Sequence, residues 1–265
     1  MNGTADISYI LLAVTFCLLA VPLGISIFFK LGLTKSMIFS VVRMTVQLLL
    51  IGIFLRYIFE LDNPVINLTW FLLMIFTATV TVIRNSSLNL KLLLLPVTVS
   101  FLISGLSVLL FFNTVLLALK NPLTAKYFIA IGGMLLGNAL RGNIVGLSTF
   151  YHQSKQDEPV LQYRLASGAG LYEAIRPYIR EALRRAFAPT VATMATMGIV
   201  SLPGMMTGQI LGGTEPALAV RYQIAIMIAI FTTVAMGTGI SLLLTIRAAF
   251  DPLGNLKKEI FKTHS

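Results

Sequence analysis

Apolar residues run through this chain in stretches too long for a soluble core. Seven of them, near residues 8–29, 36–58, 65–83, 92–112, 127–149, 188–212 and 219–246, approach the roughly 20 residues that a helix needs to cross about 30 Å of hydrocarbon. The pattern predicts an all-α, polytopic membrane protein with about seven transmembrane helices. The longest polar stretch, 151–187, is far shorter than a typical domain of about 100 residues. Residues 1–265 therefore read as a single transmembrane domain, with 151–187 as its amphipathic cytoplasmic segment. The first apolar run is longer than the roughly 7 to 15 residues of a signal-peptide core. Only Asp6 is charged ahead of it, so it is expected to stay in the mature protein.

Composition strengthens this picture: 57% of residues are apolar and 11% charged, with a mean hydropathy of +0.87. Charge supplies an orientation. Most of the 20 Lys and Arg, including Lys30, Lys35, Arg84, Lys91, Arg176, Arg180, Arg184, Arg185, Arg247, Lys257 and Lys258, fall in connections on one side. By the positive-inside rule that side is cytoplasmic, which puts the N-terminus outside and the C-terminus inside. The net charge of +10 flanks spans and forms no groove interleaved with aromatics, so a nucleic-acid partner is not expected. Cys17, the single cysteine, excludes an internal disulfide and a cysteine-based zinc cluster.

The chain lacks the GxxxxGK[ST] loop that cradles nucleotide phosphates, and its histidines, His152 and His264, fall in surface segments. No catalytic residue and no cofactor of its own are expected. None of the ten Asp and Glu lies well inside a span, where proton or sodium coupling usually places one. A Na⁺ site built from unwound backbone carbonyls is still open. Energy is therefore expected from another protein; the alternative is a self-sufficient channel or ion-coupled secondary transporter.

Within 151–187, Leu171, Ile175, Ile179, Leu183 and Phe187 recur every four residues, with Arg176, Arg180 and Arg184 on another face. Pro177 lacks an amide donor and clashes with the preceding turn, so a short helix over 170–176 and a longer one over 177–187 are predicted. The short helix, Leu171, Tyr172, Glu173, Ala174, Ile175 and Arg176, has the form of a knob for a partner's cleft, with Glu173 and Arg176 as exposed handles. Floating at the lipid headgroups is the alternative.

Downstream, Ser201-Leu-Pro-Gly interrupts the 188–212 span about fourteen residues beyond Pro189, roughly 21 Å of helix at 1.5 Å per residue. Irregular backbone is tolerated at that depth only where protein or a watery cavity surrounds it. Pro203 and Gly204 thus mark either a gate or pathway wall, or an ordinary packed kink. Around them sit Met194, Met197, Met205, Met206, Thr193, Thr196, Thr207 and Gln209. Thioethers suit soft metals but also fill irregular cores, so Met205 and Met206 are candidate ligands with packing as the other reading.

Arg43 and Gln47, one turn apart in the second span, should share the bundle interior, because a lipid-facing guanidinium costs about 2.5 to 3.5 kcal/mol. Snorkelling to the cytoplasmic surface is the other reading of Arg43. In the fifth span Gly133 and Gly137, and Gly142 and Gly146, let helices approach closely, while Asn138 and Asn143 can bond across the contact or meet substrate. Tyr222 and Gln223 near the outer end, with Thr232, Thr233, Thr238 and Ser241 further in, put a mildly polar stripe on the last span.

The run GIVSLPGMMTGQILGG at 198–213, followed by Pro216 and Tyr222-Gln-Ile, closely resembles FetB-type permeases, a family that includes plant aluminium-tolerance proteins of the ALS type. Arg43 with Gln47-Leu48, and Gly133-Met-Leu-Leu-Gly-Asn138, extend the match. The resemblance implies a permease subunit of an ABC transporter in a bacterial inner membrane. It implies a homodimer with two copies of a cytosolic ATPase subunit, which binds ATP and Mg, and export of iron. Tyr172 to Ile175 is similar to the coupling-helix region of such permeases.

Overall fold

The computed structural model describes residues 8–262, so Asp6 and His264 lie outside the described part. Among the described residues the main elements are helices: α1 (Tyr9–Thr15), a tight turn, α2 (Ala20–Phe28), α3 (Thr34–Leu61), α4 (Pro64–Asn85), α5 (Leu90–Phe101), α6 (Ser107–Phe111), α7 (Ala125–Gln156), α8 (Glu158–Ala166), α9 (Leu171–Thr196), α10 (Gly204–Leu211) and α11 (Pro216–Ala249). Among the described residues six stretches are long and apolar enough to cross a membrane: Ile10–Phe28, Thr34–Leu61, Pro64–Asn85, Leu90–Leu116, Ala125–Gln156 and Pro216–Ala249. The seventh expected run, 188–212, is not one helix. It consists of the end of α9, an irregular turn, and α10.

Local chemistry starts these helices. Asn63 and Asn89 accept bonds from the amides of Val65 and Lys91 at 2.9 and 3.0 Å, which caps α4 and α5. Pro64 suits the first turn of α4, where its missing amide would be unpaired anyway. Asp62 closes a longer link: its Oδ1 accepts from the amide of Ala125 at 2.6 Å, so the end of α3 caps α7.

α4, α5, α7, α9 and α11 pack around one core, filled by Phe71, Leu93, Phe101, Leu135, Leu147 and Phe150. In lipid this core holds by close van der Waals fit, since lipid tails are as apolar as leucine. Gly132 shows how close the fit is: a Cβ there would lie 2.7 Å from the Phe71 ring. Between Leu90 and Leu116 the helix loosens into two π-helical turns, Leu102–Leu106 and Phe112–Leu116. The N-terminal hairpin is different. α3 touches the bundle mainly near its end, where Ile58 meets Ala125 and Ile129 and Phe54 stacks on Trp70 at 4.7 Å.

Two expectations are corrected here. Arg43 and Gln47 do not share the interior of the chain; both are exposed on α3, which has no bundle helix beside it at that height. Nor does Pro177 divide the amphipathic segment: α9 is continuous from Leu171 through Pro177 and Pro189. Each proline removes one bond of the ladder. Burial of Ala174, Ile175, Tyr178, Ala182 and Ala186 against the bundle holds the helix together through the first gap.

A layer of loops and short helices covers the basic end of the bundle. The C-terminal stretch crosses back there, with the amide of Asn89 donating to the Ile260 carbonyl at 2.8 Å and that of Lys262 to Ser87 at 3.1 Å. Asp251 accepts from the amides of Leu253 and Asn255 and from the Asn255 side chain. These bonds hold its carboxyl below the usual carboxylate range. Gln162 of α8 donates to Asn255 at 2.6 Å and joins α8 to this layer.

Candidate functional site

The break after α9 is wider than the Pro-Gly pair suggests. The helix ends at Thr196, Met197 is extended, and Gly198 takes φ +85°, a left-handed conformation that side chains disfavour. The amide of Gly198 donates to the Ser201 carbonyl at 2.9 Å, which closes the turn. Pro203, with extended dihedrals, precedes α10, and its carbonyl accepts from both the amide and the hydroxyl of Thr207. The proline therefore starts a new helix; it does not kink an old one.

Beside the break lies a cavity of about 360 Å³. α7 contributes Met134, Asn138, Arg141, Gly142 and Val145 to it, and α9 contributes Ala186, Pro189, Thr190 and Thr193. The turn and α10 supply Met197, Ser201, Pro203, Gly204 and Met205, and α11 closes it with Gln223, Ile226, Met227 and Ile230. Four thioethers, two side-chain amides and one guanidinium thus surround it. Gln223 is buried, its Nε2 lies 3.8 Å from the Met197 sulfur, and its Oε1 has no partner. An unpartnered buried acceptor is costly unless something in the cavity meets it. Such a site can hold a small solute through soft and neutral donors, and it contains no carboxylate.

The residues singled out in the sequence divide clearly. Pro203, Gly204, Met205, Asn138 and Gln223 meet at the cavity. Met206 does not line it: consecutive helical residues point about 100° apart, and Met206 is buried in packing while its neighbour faces inward. The two therefore do not face the cavity as a pair. Gln209 is also off the cavity, with its Oε1 buried and unpartnered. Arg43 and Gln47 are remote on α3. Among the described residues no group of three or more His, Cys, Asp or Glu comes together.

Sequence reasoning missed Met134, Arg141 and Met227 as cavity residues. A signal existed, since Met134, Asn138, Arg141 and Val145 repeat at the spacing of one helical face. The Asn138 side chain also donates back to the Met134 carbonyl at 2.8 Å, which holds it along that face.

At the other end of α9, Tyr172, Glu173 and Arg176 are exposed, Leu171 is half-buried, and Ala174 and Ile175 are buried. Arg164 of α8 props this first turn. Its Nη1 donates to the Ala174 carbonyl at 3.0 Å and its guanidinium lies over the Tyr178 ring, 5.9 Å from the centroid. Burial pushes the Tyr178 hydroxyl up from its ordinary value and Asp157 adds to this, while Arg164 opposes it. One continuous helix thus joins an exposed, braced tip to the wall of the cavity.

Known proteins give this geometry a setting. The chain is similar to the UPF0014 membrane protein YjkA of Bacillus subtilis, with 35% identity over 231 residues that cover 86% of this chain and 88% of the relative. It is also similar to the probable iron export permease protein FetB of Escherichia coli, 32% identical over 91% of each chain. Protein ALUMINUM SENSITIVE 3 of Arabidopsis thaliana is 33% identical over 81% of this chain and 77% of its own length. No solved structure matches the chain. The family described as Uncharacterised protein family (UPF0014) matches residues 9–250, across the helices, the break and the cavity, and this integral membrane protein belongs to that family.

Proposed function

We propose that the chain is the permease subunit of an ABC transporter in a bacterial inner membrane, itself non-catalytic, that exports a metal ion, iron in the first instance. It works as a homodimer with two copies of a cytosolic ATPase subunit that binds ATP and Mg. The observation that carries this reading is the continuity of α9. Its 26 residues span about 39 Å at 1.5 Å per residue, with Tyr172, Glu173 and Arg176 at one end and Pro189 and Thr193 at the cavity. A stiff helix transmits displacement of its tip to the cavity wall, and the unwound segment 197–203 lets α10 respond separately. The basic end faces the cytoplasm, where the ATPase would grip the tip.

The name of the Escherichia coli relative supplies iron as cargo. The cavity's donors suit passage more than storage, because thioethers and amides hold a metal weakly enough for release, and Arg141 opposes tight capture of a cation. The homodimer explains Arg43 and Gln47: pairing two α3 faces offers each guanidinium the Gln47 amide oxygen of a second copy, a self-complementary contact.

Transport in vesicles containing the permease and its ATPase, across a panel of metals, tests the reading. Glu173→Arg combined with Arg176→Glu should abolish co-purification of the ATPase and ATP-driven export, with membrane insertion unchanged. Unchanged co-purification, or uphill movement by the chain alone, overturns it; the latter would favour a secondary transporter.

A further inference from the structure

Below the cavity, α7 and α11 continue side by side toward the basic end, and their contact is made of glycine and polar side chains. Gly142, at the cavity floor, sits against α11 so closely that a Cβ would lie 2.7 Å from a Val234 methyl and 3.3 Å from Thr238 Oγ1. At Gly146 it would lie 2.5 Å from Thr238 Cγ2. On the α11 side, a Cβ at Gly237 would lie 3.1 Å from Ser104 Oγ and 3.3 Å from Asn143 Nδ2. Small residues alone would indicate only close helix packing.

The polar atoms indicate more. Asn143, Thr238 and Ser241 are fully buried, yet Asn143 Oδ1, Thr238 Oγ1 and Ser241 Oγ have no hydrogen-bond partner. A dry glycine seam has no structural need of them, and burying each without a partner costs stability. The neighbouring serines are satisfied: Ser100 Oγ donates to the Gly237 carbonyl at 2.6 Å and Ser104 Oγ to the Ser100 carbonyl at 2.7 Å. Ser104 lies within the π-helical turn Leu102–Leu106 and Ser100 just before it, so the helix facing Gly237 is itself irregular. The orphaned atoms therefore gather where α7 and α11 run on from the cavity: Thr238 against Gly142 and Gly146, Asn143 beside Gly237, and Ser241 about one turn further along α11.

We propose that the transport path leaves the cavity along the α7–α11 seam, which is shut here by glycine packing, and that Asn143, Thr238 and Ser241 are its polar lining. This rests on the transport reading given above. Neutral amide and hydroxyl oxygens of this kind suit a small cation that keeps part of its water shell, and they replace lost waters without trapping the ion. α9 is placed to open the seam, because Ala186 lies against the Gly146 position, 3.6 Å from where a Cβ would be. A shift of α9 would remove the support behind that glycine.

Cysteine accessibility tests this in the complete transporter, on a Cys17→Ser background, with a charged membrane-impermeant thiol reagent. Thr238→Cys and Ser241→Cys should react at least about tenfold faster during ATP turnover than at rest. Leu242→Cys, on a buried apolar position of the same helix, should stay slow in both conditions. If Met205→Cys in the cavity reacts while Thr238→Cys and Ser241→Cys match Leu242→Cys, the seam is not the path although the cavity reading stands. If Met205→Cys is inert as well, both fail. Thr238→Val offers a check that does not depend on cysteine variants folding. Removing an unpartnered hydroxyl should leave thermal stability equal or higher while export falls several-fold. Unchanged export in Thr238→Val would reduce Thr238 to packing and overturn the proposal.

Discussion

α3 and α11 are both long, strongly apolar helices, yet none of the most apolar stretch of α3 is buried, while half of that of α11 is. α11 is enclosed by α5, α7, α9 and α10, and it places Gln223, Thr238 and Ser241 inside the protein. α3 presents Arg43 and Gln47 outward among exposed side chains such as Phe39, Val46 and Leu50. Apolarity therefore shows that a segment can enter the bilayer and says nothing about whether it meets protein or lipid there. What separates the two helices is the other chemistry on them: small residues and hydroxyls that fit a neighbour in α11, exposed bulky side chains and a mid-span guanidinium, Arg43, in α3.

The sharpest contrast is expected from large-to-small changes. Phe71→Ala, at the fully buried heart of the bundle, should cost about 3 to 5 kcal/mol in thermal or denaturant unfolding of the detergent-solubilised protein. A loss under 1 kcal/mol would mean that the bundle is far looser than described. Gly132→Ala should follow at about 1 to 3 kcal/mol, because its methyl collides with the Phe71 ring. Measured together with Phe71→Ala, its penalty should shrink, since truncation removes the obstacle.

Arg43→Gln addresses the other side of the comparison. If a second copy covers the α3 face, the substitution should weaken dimerisation by about 1 to 2 kcal/mol, read as the change in monomer fraction on dilution in detergent or bilayer. An unchanged monomer fraction with normal export would assign Arg43 to the membrane surface. The smallest effect is expected for Phe39→Ala, two-thirds exposed on α3, which should stay within about 0.5 kcal/mol in the unfolding of monomeric protein. A penalty comparable to that of Phe71→Ala would erase the distinction between hairpin and bundle.

Much of the site was legible because its residues carry strong local signals. Pro203 and Gly204 in succession disfavour helix on both sides of their junction, and the repeat of Leu171, Ile175 and Ile179 marks an amphipathic face. Pro177 was misleading for the same local reason: the expected break ignored Ala174, Ile175 and Tyr178, whose burial holds the helix through the gap. Met206 and Arg43 were misplaced because their positions depend on neighbours that a one-dimensional pattern does not contain. Arg141 has the spacing of a cavity residue, but a lone basic residue in a span reads equally well as a topology signal.

By itself the sequence determined that this chain enters a bilayer as helices, and that the 188–212 run breaks near Pro203, since propensity, capping and hydrophobic length act through near neighbours. The tertiary structure decided which apolar faces enclose protein, which methionines share a cavity, and which polar atoms are buried without partners. Those outcomes depend on the approach of α7, α9 and α11, segments distant in sequence, and contacts between them are set by shape complementarity that no single segment encodes.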